Sequence, residues 1–221
     1  MSLMIAATLA LTAQTAECAL EYDIDERRGG YPTAIRAVCP DDVADAEALQ
    51  RAAEAAVAAI RLDPPREGTR RNPGPRFWLA DSAALSQDPD GHWRPVPGQQ
   101  IITRDPEFPL RAVERGADLA YCAVGLTPDA SGSPQEIETG CLINTAGSAF
   151  ARAMDREMSQ AAAQWRLLPV DIRYCYSTEI ETRAVVHRAR LDQRGRPETS
   201  LHDPGPGLDP DDLPEFCAQA G

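Results

Sequence analysis

The sequence predicts an α+β fold of two tandem strand-strand-helix-strand units, each a helix packed on a small antiparallel sheet and braced by a disulfide. Three observations carry the expectation. Two cysteine-bounded segments share one pattern, each is followed by an apolar stripe at helical spacing, and a Pro-closed helix end recurs at an offset of 105 residues. The chain has 221 residues, which suits one large or two small domains.

Leu3 to Ala13 is a short apolar run followed by Gln14-Thr15-Ala16-Glu17. This resembles the apolar region and cleavage zone of a secretory signal, with Ala16 the expected edge. Residues 1–17 are therefore read as a signal peptide, the alternative being a buried N-terminal strand or helix. No other stretch approaches the ~18 uninterrupted apolar residues of a membrane helix, so no integral membrane span is expected.

Six cysteines, an even number, in an exported chain point to disulfides. The segment from Cys18 to Cys39 matches the segment from Cys122 to Cys141. Each opens Cys-Ala-aliphatic, passes a Gly-containing turn, resumes at Pro32 or Pro134, places Ile35 or Ile137 three residues later and closes on Cys after four more. Leu20, Tyr22 and Ile24 alternate on one side of the first turn and Ile35 and Ala37 on the other, the period of half-buried strands. Each segment is thus a β-hairpin with its cysteines facing one another at the base. Antiparallel strands bring opposed Cα atoms to ~4.5–5.5 Å, within reach of a disulfide. The expected pairs are Cys18 with Cys39 and Cys122 with Cys141, leaving Cys175 and Cys217 for each other. Zinc is the weaker alternative, because the sequence holds no C-x-x-C and its three histidines are scattered.

After Cys39, the acids Asp41, Asp42 and Asp45 suit a helix N-terminus, and Leu49, Ala53, Ala56, Val57 and Ile60 form an apolar stripe. After Cys141, with Asn144 or Thr145 as cap, the stripe is Met154, Met158, Ala161, Ala162 and Trp165, each offset by 105 from its counterpart. The same offset carries Ile60-Arg61-Leu62-Asp63-Pro64 onto Trp165-Arg166-Leu167-Leu168-Pro169. Proline stops the helix and begins an extended segment, expected at Arg76 to Leu79 in the first copy and Ile172 to Ile180 in the second. Residues 18–82 form the first unit, 83–99 a polar Pro-containing linker, 100–190 the second unit and 191–221 an acidic tail rich in Pro and Gly. Trp78, Trp165 and the methionine pair are expected in the cores, and Trp93 to pack against either unit.

Composition excludes several functions. All 22 basic residues are Arg against 34 acids, for a net charge of −12, so no basic face can follow a phosphate backbone. The acids at 41, 42 and 45 lack the spacing of a calcium loop. Gly147-Ser148 has no elbow glycines, Gly29-Gly30 is a hairpin turn, and His187 and His202 have no catalytic neighbours. No enzyme, metal site or cofactor is expected.

A resemblance follows from the ordered motifs. Asp105-Pro106-Glu107-Phe108-Pro109-Leu110-Arg111-Ala112, then Gly132-x-Pro134-x-x-Ile137, then AAAQWRLLP ending at Pro169 resembles the TonB C-terminal domain family. Tyr31-Pro32-x-x-Ile35 and the Ala52 to Pro64 segment show the same core, without the aromatic-Pro lead-in. The resemblance implies a helix on a small antiparallel sheet, a periplasmic location, and pairing of a sheet edge with an extended segment of an outer-membrane TonB-dependent receptor. It places the partner-binding residues at Ile172, Arg173, Tyr174 and Tyr176 of the last strand, with Phe108 and Pro109 nearby. The sequence holds no transmembrane anchor or long spacer like those of energy transducers, so the expected role is a periplasmic binding module. The alternatives are a self-associating structural or assembly protein of the envelope, a homodimer joined edge to edge, and a small enzyme or inhibitor using a cleft between the units.

Overall fold

The computed structural model describes residues 14–28, 30–64, 77–144, 148–169 and 173–181. The fold is α+β, and every described strand pairing is antiparallel. The first half begins with β1 (Thr15–Asp25) and β2 (Tyr31–Val38), followed by α1 (Ala46–Ala58). Four short strands follow: β3 (Phe77–Leu79), β4 (Ser82–Gln87), β5 (Trp93–Pro95) and β6 (Gln100–Arg104). The second half has a short helix α2 (Leu110–Val113), then β7 (Leu119–Pro128), β8 (Pro134–Ile143), α3 (Ser148–Ala162), β9 (Arg166–Leu167) and β10 (Tyr174–Glu181).

Three sheets result, in the orders β2-β1-β4-β5, β10-β7-β8 and β3-β6-β9. In the first two, the leading strand of a hairpin lies between its partner and a strand that follows the helix. Both disulfides form across the hairpins as the spacing predicts, with Cα atoms 4.2 Å apart for Cys18–Cys39 and 4.1 Å for Cys122–Cys141. Cys175 is also disulfide-bonded, and Cys217 lies outside the described residues.

Each helix lays its apolar stripe on its sheet. Leu49, Ala53 and Val57 of α1 join Cys18, Leu20, Ala37, Leu85 and Trp93 in one core, and Met154, Met158 and Ala162 of α3 join Cys122, Val124, Leu126 and Trp165 in another. Each helix also donates a polar side chain to the hairpin base at the same place. Gln50 Oε1 accepts from Cys39 N at 2.9 Å, and Asp155 Oδ1 accepts from Cys141 N at 2.6 Å. Burial pushes the Asp155 carboxyl up, and the Cys141 amide and the Arg156 charge pull it back in part.

The third sheet joins the halves. β6 pairs with β3 on one side and β9 on the other, and the adjacent residues Leu167 and Leu168 divide between the two cores. Trp165 Nε1 donates to the Arg104 carbonyl at 3.0 Å, and Arg166 Nε donates to the Arg61 carbonyl at 2.8 Å. The tip of the second hairpin docks here too. Ser131 O accepts from Arg61 N, and Gly132 O from Leu167 N. Gly132 has φ +72, and a Cβ there would lie 2.2 Å from Leu167 O, so only glycine fits.

Several expectations are corrected. The strand that completes the first sheet is β4, not Arg76 to Leu79; Phe77–Leu79 pairs instead with β6. The stretch 83–99 read as a linker is built into β4 and β5, with Trp93 buried in the first core. Trp78 is 61% exposed rather than core, its indole N–H donating to Asp105 Oδ2 at 2.7 Å. A register shift at Asp23/Ile24 leaves Ile24 exposed. Asp45 occupies the N-cap of α1 in a left-handed conformation with no side-chain cap bond, its carbonyl taking the Ala48 and Leu49 amides. Asn144 is no helix cap; its side chain accepts from the Asp118 and Leu119 amides. β1 pairs from Thr15, whose partner is Ser86, and Ala16 faces Leu85, so the expected cleavage edge falls inside a strand. Residues 1–13 and the tail 191–221, with His187 and His202, lie outside the described residues. No described helix is long and apolar enough to cross a membrane.

Candidate functional site

The two main sheets differ at one edge. A disulfide with Cα atoms about 4 Å apart marks a non-hydrogen-bonded pair, so Cys122 turns its N–H and C=O away from β8 and toward β10. Its β10 partner is Thr178, and by the two-residue period Tyr174, Tyr176, Thr178 and Ile180 bond to β7. Ser177 and Glu179 therefore direct their backbone N–H and C=O outward, where no described strand pairs with them.

The same parity applied to the first sheet gives the opposite outcome. Cys18 faces Ala83, so Ala84 points outward. There the Ala84 carbonyl accepts from Val96 N at 2.9 Å and from Gln99 Nε2 at 2.8 Å, and Gln99 Oε1 accepts from Ala84 N at 2.6 Å. β5 covers the rest of that edge, pairing Leu85 with Pro95 and Gln87 with Trp93. One edge is closed by the chain itself; the corresponding edge of β10 has no strand beside it among the described residues.

A groove of about 340 Å³ runs beside the outer edge of β10. Its lining includes Arg104 and Asp105, Tyr176 and Thr178 of β10, the apolar side chains of Met158 and Trp165, and Cys175. Arg104 is held by an ion pair to Glu107, and Asp105 by the Trp78 indole. Such a site combines apolar and charged lining residues with a strand edge that has no described partner strand, which is what an extended peptide segment needs.

The sequence-predicted partner residues are only partly gathered there. Tyr176 borders the groove, its ring edge-on to Trp165 at 5.8 Å and its hydroxyl donating to Gly98 O at 2.9 Å. Burial, and then Tyr174, push its phenol well above the ordinary tyrosine range. Tyr174 packs on Gly98, where a Cβ would lie 2.9 Å from its ring. Both rings support β10, so the strand offers a partner its backbone. Arg173 pairs with Glu138 of β8. Phe108 packs against the second core, and Pro109 precedes α2, its carbonyl accepting from the Ala112 and Val113 amides. Neither borders the groove, and Ile172 lies outside the described residues. Sequence reasoning missed Arg104, Trp78 and Gln99, which carry no motif and act through long-range pairing.

Asp88, Asp90 and His92 bring ligand atoms within 4.8 Å of one another. Asp88 is already committed to the turn, accepting from the Asp90 and His92 amides and from Arg94, which hold its carboxyl below the ordinary range. Comparison with protein-family models, curated proteins and solved structures finds no match.

Proposed function

We propose that the chain is a periplasmic, TonB-like binding module of two tandem units, which takes an extended segment of an outer-membrane receptor or other envelope protein by strand addition. The observation that carries this reading is the contrast between equivalent edges. Ala84 is closed by Val96 and Gln99, whereas the outward backbone edge of β10 at Ser177 and Glu179 has no described strand beside it, and the groove lined by Tyr176 and Thr178 adjoins the same strand. The tandem reading is supported by the shared strand order of the two sheets and by Gln50 and Asp155, which hold the two hairpin bases from the same helical position. A link to TonB-dependent transport follows from the resemblance and belongs to this proposal, as does the absence of catalysis.

The open edge also fits β10 of a second copy, the arrangement of a self-associating envelope protein without a transport role. A photo-crosslinking residue at Thr103, in the groove wall, decides between them in cells. Capture of a receptor through its N-terminal extended segment supports the proposal. Capture of the protein itself supports self-association, and the lack of any adduct at this position sinks both.

A further inference from the structure

The two sheets also differ on the face turned away from the helices. In the first, Glu17, Ala19, Glu21 and Asp23 of β1 are all exposed, and Arg36 of β2 makes ion pairs with Glu21 and Asp23 there, as expected of a sheet with one face in water. In the second, the corresponding residues of β7 are Tyr121, Ala123 and Gly125, set beside Gly140 of β8. Charged residues have given way to small and apolar ones. Ala19 and Ala123 each follow the first cysteine of a hairpin. Ala19 is exposed, while Ala123 is 2% exposed and belongs to neither core.

Cys175 lies opposite Gly125, so by the alternation of strand side chains it is on this same face, and it is disulfide-bonded. The chain has six cysteines, four of which close the two hairpins, and the one remaining is Cys217. We propose that the outer face of the β10-β7-β8 sheet is the docking surface for the chain's own C-terminal segment, residues 208–219, held by a Cys175–Cys217 disulfide. The length suffices. Thirty-five residues separate Glu181 from Cys217, and returning along β10 from Glu181 to Cys175 covers only ~20 Å at ~3.4 Å per residue. Composition fits as well. Leu213 and Phe216, next to Cys217, are bulky apolar residues in an acidic stretch, and the face made by Ala123, Gly125 and Gly140 lacks bulk. The face meets the groove only at Cys175, which is among the residues lining the groove, and the inference names no receptor.

Peptide mapping of the oxidised full chain without reduction should yield a Cys175–Cys217 fragment; a disulfide joining two chains through either cysteine would overturn the proposal. Hydroxyl-radical footprinting then reads the face itself. In the tail variant Leu213→Asp/Phe216→Asp, oxidation of Tyr121 and Leu142 should rise at least fivefold, with Tyr31 and Trp93 of the first core unchanged. Cys175→Ser/Cys217→Ser should give the same result. Unchanged rates at Tyr121 and Leu142 in the tail variant, which alters no residue of either core, would overturn the proposal whatever the cysteine variant does.

Discussion

Arg166 Nε donates to the Arg61 carbonyl at 2.8 Å, joining the two arginines that follow the helices, 105 positions apart. The same guanidinium donates through Nη1 to Trp165 O at 2.6 Å, and the residue is only 8% exposed. Replacing Arg166 with Ala strands two carbonyls at the join between the halves. We expect a loss of about 2–4 kcal/mol in urea unfolding, with both halves weakened together when followed by Trp93 and Trp165 fluorescence.

Gly132→Ala should be as harmful from a single methyl group. The position has φ +72, and the added carbon would meet the Leu167 carbonyl, forcing apart the hairpin tip and β9 where the Leu167 amide donates to the Gly132 carbonyl. An expected cost of about 2–4 kcal/mol, measured by thermal unfolding, contrasts with Gly91→Ala, where nothing lies within 4 Å and only the backbone preference opposes the change.

Each hairpin disulfide closes a loop, of sequence separation 21 for Cys18–Cys39 and 19 for Cys122–Cys141. In the chain-entropy treatment, each should contribute about 3 kcal/mol. Paired Cys→Ala replacements in each hairpin, assayed by urea midpoint, should therefore cost similar amounts, and a cost below about 1 kcal/mol in either would reject that treatment here.

The parity of β10 makes neighbouring positions respond differently to proline. Glu179→Pro removes an outward N–H and leaves the ladder to β7 intact, so stability should change by less than about 1 kcal/mol, while capture of a partner at the Thr103 crosslinker should fall at least tenfold. Thr178→Pro removes a donor to β7 and should cost about 3 kcal/mol. Equal effects would mean that the outward edge is not where a partner pairs.

Two aspartates should respond to acid in opposite senses. Asp129 accepts from the Ser131 hydroxyl and from the Ser131 and Ser133 amides, which lower its pKa on folding. Its stabilisation is complete above the ordinary carboxylate pKa and is lost as pH falls through the depressed folded value. Asp155 has its pKa raised by burial, so protonation favours the folded state and its contribution improves as pH falls through the raised value. Unfolding curves of Asp129→Asn and Asp155→Asn against pH should diverge from the parent protein in opposite directions below neutrality.

The hairpins, their disulfides and the helices were legible because each depends on spacing within a few dozen residues. Cys18, Cys39, Cys122 and Cys141 announce strand ends, and Leu49 to Ile60 and Met154 to Trp165 announce buried helical faces. β4 was hidden because Ser82-Ala83-Ala84-Leu85-Ser86 holds only one bulky apolar residue, Leu85, a weak period-two signal. β5 was hidden by Pro95, which reads as a linker residue yet is tolerated on an edge strand. Trp78 looked like core from its apolar bulk, but β3 presents it outward to Asp105. The open edge of β10 could not be read from its own residues, since edges are defined by which distant strands arrive.

The sheet built from β3, β6 and β9 sets a schedule for folding. The hairpins need only local closure, but the seam requires Leu167 beside Gln100 and Arg166 against Arg61. Contacts of such long range form slowly, because the entropy of closing the intervening chain is lost before they reward it. Until residues near 167 arrive, Ile101 and Ile102, fully buried in the finished protein, have no complete cover. The interval between hairpin formation and seam closure is therefore when the chain is most exposed to misassociation.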